Sequence, residues 1–523
     1  MSQQFKVLDT YLRNNQYVEA AVLCAQLSAE HVTSLPLQLT LSQVYQRLGH
    51  FHAMLDTARI AVALDPSHVA AQMRLVESFL YCCEVNQALN CLETLEETSL
   101  DDPRLLQDIA HMYLQCAGHA QARRCYERAV QLQADHPQYL YNLAASCVTF
   151  GEIERAENLF NRVIELDAND AGAYLNRSML KTWTNDNHHV NELRLALQRL
   201  PDGDALEVPL CFALAKEYED LGESAKSFES LQRGASRRRS KLAYKVENDV
   251  AAMAQIQMKF NTDLFRQRPS RQVLNHAQKG EPAYFVLGLP RTGTTLVDRI
   301  VSSHSQVDSL GEINDFAFAL MQLASGPGGK LDMIERSTHI DFMRLGEIYR
   351  HGILGYGPTA PHLINKMPVN FLYIGLIHLA LPDAKIIHLR RHPLDACYAM
   401  YKTLFRMGYP FSYSLDDVGH YYLAYHRLMQ HWRDVIPGSF LDIDYEELVA
   451  DQEGVSRRML DYCGLSWESN CLNFHKNANP AATASAAQVR SPVYRSSVQR
   501  WRQYETELAP LADFLTQHGI DCS

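Results

Sequence analysis

Residues 288–295 read GLPRTGTT, two glycines with four residues between them, closed by paired threonines. The run AYFVLGL leading into them is continuous, apolar and aromatic-rich, and LVDRIVSSH after them has helical spacing, so the order is strand, loop, helix. A loop so placed turns backbone N–H groups toward an anion at the positive end of the helix dipole. The chemistry this suits is capture of a phosphate or sulfate. Gly288 and Gly293 let the chain turn tightly and let a ligand approach the backbone. Loops of this spacing that hydrolyse nucleotides carry a lysine after the second glycine, and here that position is Thr294. Arg291 supplies a cation from another direction. Its planar guanidinium can hold two oxygens of a transferring group, each charge-assisted bond worth about 1.5–3 kcal/mol.

These residues carry a resemblance. Residues 285–296, FVLGLPRTGTTL, resemble the 5'-phosphosulfate loop of sulfotransferases, especially the protein-tyrosine and the repeat-containing bacterial sulfotransferases, and the likeness extends over 281–505. It implies a three-layer α/β domain with a central parallel sheet. It also implies 3'-phosphoadenosine 5'-phosphosulfate (PAPS) as donor, no metal, and donor contacts from Arg291, Thr292, Gly293, Thr294 and Thr295. Further on, IIHLRRHPLDACYAMYK is a second apolar strand followed by a helix. Its Arg391 resembles the arginine of the family's R-x-P-x-D element, which binds the 3'-phosphate. The family usually has serine eight positions later; here Ala399 removes that hydroxyl donor. LDIDYEELVADQEG resembles the family's Y-E-x-L segment and implies that Tyr445 lies near the nucleotide. ASAAQVRSPVYRSSVQRWRQY resembles the loop that closes over the donor, with Arg500 as its basic contact and Ser485 and Arg490 as further ones.

Sulfuryl transfer to a hydroxyl resembles phosphoryl transfer, in which an electron-poor centre passes in line between two oxygens. The acceptor must lose a proton, the equatorial oxygens must be held, and the departing oxygen must be stabilised. The resemblance assigns these tasks in turn to Glu312 in SLGEIND, to Arg291, and to Lys366 in LINKMPVNF. Asp315 and His304 are secondary candidates for the base. Glu312 and the repeats described next favour a tyrosine of a protein or peptide as acceptor, with a carbohydrate or small metabolite as alternatives. The aromatic segment RMGYPFSYSLDDVGHYYLAYH, residues 406–426, fits either an acceptor site or core packing. Two other readings of the chain are a phosphate-loop kinase, against which the missing lysine argues, and a non-catalytic repeat adaptor with a degenerate nucleotide-binding domain, for which Ala399 argues.

The elements preceding this site repeat with a period of 34. Ala20, Met54, Ala88, Ala122 and Ala156 share one register; Gly49, Cys83, Ala117 and Gly151 share a second; Pro66, Leu100, Ala134 and Ala168 share a third. The pattern predicts antiparallel helix pairs with small residues where backbones meet, stacked because no single pair can bury its apolar face. It resembles the tetratricopeptide repeat across residues 5–180, and a further pair reaches residue 240. The expected organisation is an α superhelix of tetratricopeptide repeats at 1–240, a helical connector at 241–280 and a PAPS-dependent sulfotransferase domain at 281–523. The array is expected to offer a groove for a protein or peptide partner, with homo-oligomerisation as its other use. A net charge of -11 at pH 7 argues against bulk nucleic-acid binding. No apolar run reaches the roughly 18 residues of a membrane span, and the start MSQQFKVLDTYLRNNQ lacks the apolar core of a secretory signal, so a cytoplasmic location is expected.

Overall fold

The fold is that of a computed structural model describing residues 2–30, 33–201, 203–267, 282–405 and 408–523. The C-terminal part of the expected connector, 268–280, lies outside the described residues, as do Arg406 and Met407. The chain divides into two compact units: Met1–Cys125 with Ile313–Thr359 and Leu379–Leu381, and Tyr126–Glu312 with Ala360–His378 and Pro382–Ser523.

In the first unit antiparallel helices follow the 34-residue period, among them Leu35–Leu48, Phe51–Leu64, Val69–Tyr81 and Val85–Thr98. The first register is its core: Ala20, Met54, Ala88 and Ala122 are all fully buried. The second register has a more specific cause than close backbone approach. Gly49, Cys83 and Ala117 each have positive φ at the end of a helix, the left-handed turn that stops one helix and starts the next. Glycine does this without strain; cysteine and alanine do it at a cost that packing offsets. This unit also includes three helices that follow the second strand of the sheet, Asp315–Ala324, Lys330–Ser337 and Phe342–Leu354. They pack on the repeats through Phe318 against Tyr81, 4.7 Å between ring centroids, and through Gln322 Nε2 donating to the Tyr81 carbonyl at 3.0 Å.

The second unit continues the helix pairs with Pro137–Phe150 and Ile153–Leu166, where Ala156 and Phe160 are fully buried. The helices Ala171–Ser178 and Val190–Gln198 are shorter, and the period lapses there. A last pair, Glu207–Asp220 and Ser224–Ser240, restores it over the segment expected from the sequence. The described part of the connector is helical, Val246–Lys259 and Thr262–Gln267.

The sheet has five strands: β1 (Ala283–Gly288), β2 (Val307–Ser309), β3 (His362–Lys366), β4 (Lys385–Arg390) and β5 (Leu441–Asp444). All pairings are parallel, in the order β2-β3-β1-β4-β5. Every residue of β1 is buried, as its unbroken apolar run requires of a central strand covered on both faces. Tyr284 and Val286 pack with Val297 and Ile300 of the loop helix Thr294–Val301 and with Met459 and Leu460 of helix Gln452–Cys463. On the opposite face His388 of β4 meets Tyr425 of helix Leu415–Val435, Nε2 to hydroxyl 2.5 Å. The expected three layers, helix, sheet and helix, are therefore present. No helix among the described residues is long and apolar enough to cross a membrane.

Candidate active site

Five parallel strands end along one edge of the sheet, and a candidate residue stands at or just past each end. Read across the sheet in its spatial order they are Glu312 after β2, Lys366 closing β3, the 289–293 loop after β1, Arg391 after β4 and Tyr445 after β5. Open parallel sheets bind ligands outside the carboxyl ends of their strands. With strands about 4.8 Å apart, Lys366 to Tyr445 spans three intervals, roughly 14 Å. That suits an elongated ligand lying across the edge.

The loop at the centre is fixed by its neighbours. Gly293 has φ 106°, and a Cβ there would stand 2.6 Å from Cδ2 of Tyr445, so glycine is required both by conformation and by the aromatic ring on top of it. Gly293 caps the loop helix with no side-chain hydrogen bond, leaving the first N–H groups at Thr294 and Thr295 without an intrahelical acceptor. Thr292 donates its hydroxyl to the Leu289 carbonyl at 2.7 Å, tightening the turn. Thr295 and Thr483 hydroxyls are 3.3 Å apart. Arg291, with φ 66°, extends to Ser485 Oγ and to Gln488 Oε1, the latter at 2.9 Å. Burial pulls its guanidinium below the usual range; Tyr494 opposes this and Arg391 adds to it. An anion here would relieve the cost.

Glu312 and Lys366 form an ion pair, Nζ to Oε1. The pairing is built by the backbone: Leu310 N–H donates to the Ile364 carbonyl at 2.9 Å, and Lys366 N–H donates to the Gly311 carbonyl at 2.9 Å, which carries Glu312 over the end of β3. The Lys366 side chain is 1% exposed and that of Glu312 36%, so the carboxylate is the half open to an incoming molecule. Asp298, buried in the loop helix, accepts from Ser309 Oγ at 2.6 Å. Burial pushes its carboxyl up and nearby Lys366 holds it down. Asp298, held by Ser309, thus sets a second carboxyl group in the field of the pair, a placement no local sequence signal announced. The two secondary base candidates are occupied otherwise. Asp315 is buried and accepts from the Tyr356 hydroxyl at 2.7 Å, and His304 Nε2 lies 2.9 Å from the Ser466 carbonyl.

At the β4 and β5 end, Arg391 donates to the Arg291 carbonyl at 3.0 Å and to the Ser497 carbonyl, and its guanidinium lies 4.9 Å from the Tyr445 ring centroid. Its Nε is buried without a hydrogen-bond partner among the described residues. Such an orphan is expensive unless a ligand accepts from it or rearranges the fork. The Tyr445 hydroxyl is 2.7 Å from Ser497 Oγ, a neighbour of this candidate residue that the sequence reading did not single out. Arg291, Arg391 and Arg500 all exert their charge on Tyr494, and Arg291 and Arg500 exert theirs on Lys402. Four cations thus share one region whose paired carboxylate is Glu219.

Two of the assignments in the closing loop come out differently from each other. Ser485 is in contact with Arg291. Arg490 instead donates to three backbone carbonyls, those of Asn477, Asn479 at 2.8 Å and Thr149 at 3.1 Å, so its guanidinium ties the loop to helix Pro137–Phe150. Arg500 pairs with Glu219 at 3.4 Å. The segment before Arg500 is held by Asp395, whose carboxylate accepts from Gln499 N–H at 2.7 Å and Trp501 N–H at 2.9 Å. Replacing Asp395 with Ala orphans both donors, an expected cost of about 1–3 kcal/mol. Trypsin cleavage at the exposed Arg495 should then accelerate and the melting temperature fall; unchanged cleavage would mean the loop is held elsewhere.

Residues 282–469 match the sulfotransferase family. They are a sulfotransferase domain. Residues 137–170 match the tetratricopeptide repeat, within the helix pair Pro137–Phe150 and Ile153–Leu166. The chain is 35% identical over 254 residues to an uncharacterised protein of Aquifex aeolicus, covering 46% of this chain and 33% of that one. It is 25% identical over 259 residues to a putative protein-tyrosine sulfotransferase of Caenorhabditis briggsae, 46% of this chain and 90% of that one. It is 31% identical over 111 residues to an omega-hydroxy-beta-dihydromenaquinone-9 sulfotransferase of Mycobacterium bovis, 20% of this chain and 29% of that one. The chain thus spans about a third of the length of the Aquifex relative. Of the strand-end residues, those after β1, β2, β3, β4 and β5 all fall inside the sulfotransferase domain, whereas Ser485, Ser497 and Arg500 follow it.

Proposed function

We propose that the chain is a PAPS-dependent sulfotransferase acting on a hydroxyl, with a tyrosine of a protein or peptide as the preferred acceptor. The observation that carries this reading is the order of residues along the sheet edge. A carboxylate and a lysine lie at one end, an amide-lined loop with an arginine in the middle, and Arg391 with Tyr445 at the other. The surplus of cations and the unpartnered Arg391 Nε fit a ligand with two separated anionic groups. PAPS, when bound, supplies the sulfuryl group.

In this reading the loop N–H groups of 292–295 and Arg291 hold the 5' end and the equatorial oxygens, and Arg391 with Tyr445 holds the 3'-phosphate end. Glu312 takes the proton of the acceptor hydroxyl as that oxygen bonds to sulfur. Lys366 donates to the oxygen whose bond to sulfur breaks, offsetting the charge that collects there. Ala399 supplies no hydroxyl; Lys402, three residues along, supplies a cation to the same region. The adaptor reading rests on Ala399 alone, and this lysine weakens it. Segments 1–240, 241–280 and 281–523 are proposed as repeat array, connector and catalytic domain, with the array receiving the acceptor protein and the whole acting in the cytoplasm.

Adenosine 3',5'-bisphosphate should raise the melting temperature in the absence of magnesium, and ATP should not. Ligand at a hundredfold its Kd contributes about 2.7 kcal/mol. Incubation with sulfur-labelled PAPS and tyrosine peptides, followed by separation of peptide from small compounds, tests the acceptor. No shift with the bisphosphate would remove the donor assignment, and label confined to small compounds would remove the peptide.

A further inference from the structure

Glu219 belongs to helix Glu207–Asp220, in the last helix pair before the connector and well outside the sulfotransferase domain. Yet its side chain is a hub of the nucleotide end of the site. Its Oε1 accepts from the Tyr398 hydroxyl at 2.8 Å and the Tyr504 hydroxyl at 3.2 Å; its Oε2 accepts from Lys402 Nζ at 2.7 Å and pairs with Arg500 at 3.4 Å. The side chain is 9% exposed. Around it the fit is close: Phe228 of the same helix pair packs on Tyr504 at 5.8 Å and Tyr401 at 6.0 Å, and Ser227 Oγ lies 3.3 Å from the Tyr504 hydroxyl.

We propose that Glu219 is a positioning residue of the donor site, aiming Lys402 and Arg500 at the 3'-phosphate, so that the sulfotransferase site is completed by the final helix pair. This rests on the donor reading above. The physical case is one of charge. Lys402 is the capping residue directly after helix Pro393–Tyr401, which starts two residues after Arg391, and Arg500 follows the Gln499 N–H held by Asp395. Both cations come to the same region as Arg291 and Arg391, where mutual repulsion would push the long side chains outward into water. A single buried carboxylate shared by two of the four removes that repulsion locally and leaves the region cationic. Lys402 feels the competition directly, since burial pulls its ammonium below the usual range, Glu219 opposes this, and Arg500 and Arg291 add to it. Glu219 itself is opposed by burial but held near 2 by Lys402 and Arg500, so it stays ionised at any working pH. Two tyrosine hydroxyls fix its rotamer, which is what separates a positioning carboxylate from a passing surface pair.

Two nucleotides test this. Adenosine 3',5'-bisphosphate carries the 3'-phosphate and adenosine 5'-monophosphate lacks it, so the ratio of their Kd values by calorimetry reports that end of the site alone. Glu219→Gln keeps the shape and the hydroxyl partners and removes the charge. It should weaken the bisphosphate about tenfold and leave the monophosphate within about twofold, since one charge-assisted contact is at stake. A purely structural role would weaken both nucleotides equally and leave the ratio unmoved, which would overturn the proposal. Glu219→Asp, which keeps the charge but withdraws it by one methylene, is the second variant should Gln impair folding, and it should lower the ratio by a smaller factor; an unchanged ratio there overturns the proposal as well. If the unaltered protein binds neither nucleotide, the donor reading itself has failed, an outcome separate from any effect of Glu219.

Discussion

Glu312→Gln should bind adenosine 3',5'-bisphosphate as the unaltered protein does and lose turnover by about 10²–10⁴-fold, the range set by removing a general base. The amide keeps the side chain's length and can still accept from Lys366, so the geometry at the end of β3 is retained. What disappears is basicity at the more exposed half of the pair. The cost to folding should be modest, because Lys366 keeps Asp298 as a second neighbouring carboxylate and its backbone stays tied to Gly311. Single-turnover transfer from labelled PAPS separates this from a binding defect, since nucleotide affinity is measured independently. A kcat within fivefold of normal would take the glutamate out of the reaction and leave Lys366 beside it as a resting contact only.

The parts of this site legible in the sequence are those whose partners are close along the chain. The 288–295 loop is strand, turn and helix in one stretch, and the structure keeps that order. The first repeat register was equally readable, because burial of one helical face recurs at a fixed interval and Ala20, Met54, Ala88, Ala122 and Ala156 all lie at 0% exposure. The second register was visible but its cause was not: positive φ at Cys83 and Ala117 is a property of the turn, and neither residue type advertises it. Contacts across long separations left no trace. Glu219 meets Lys402 and Arg500 from about 180 and 280 residues away, on a helix whose periodicity speaks only of packing. Arg490 shows the converse. An arginine in a loop that resembles a donor lid reads as a ligand contact, and the sequence carries no sign that its side chain also donates to the carbonyls of Asn477, Asn479 and Thr149. The packing of the helices between β2 and β3 on Tyr81 and Cys83 depends on surfaces that no local pattern encodes.

Lys366→Met should lower kcat by about 10²–10³-fold, the loss expected when a donor aimed at developing charge is removed. Methionine approximates the length of the lysine stem in a position that is 1% exposed, so the pocket stays filled. The electrostatic consequence reaches further than the leaving oxygen. Asp298 is already pushed up by burial and by Glu312, and Lys366 is the largest influence holding it down, so the variant drives Asp298 toward its neutral form. Two carboxyl groups then share one corner with no ammonium between them. For that reason the double variant Glu312→Gln/Lys366→Met should be less impaired than the product of the single losses, because each single change already breaks the same pair. Measured kcat values for the two singles and the double form a closed cycle with one coupling value. Strong coupling means the base and the cation act as a unit at one point of the reaction, as their ion pair over the end of β3 requires. Independent, multiplicative losses would instead assign them to separate steps, and the lysine would have to leave Glu312 before the acceptor is deprotonated.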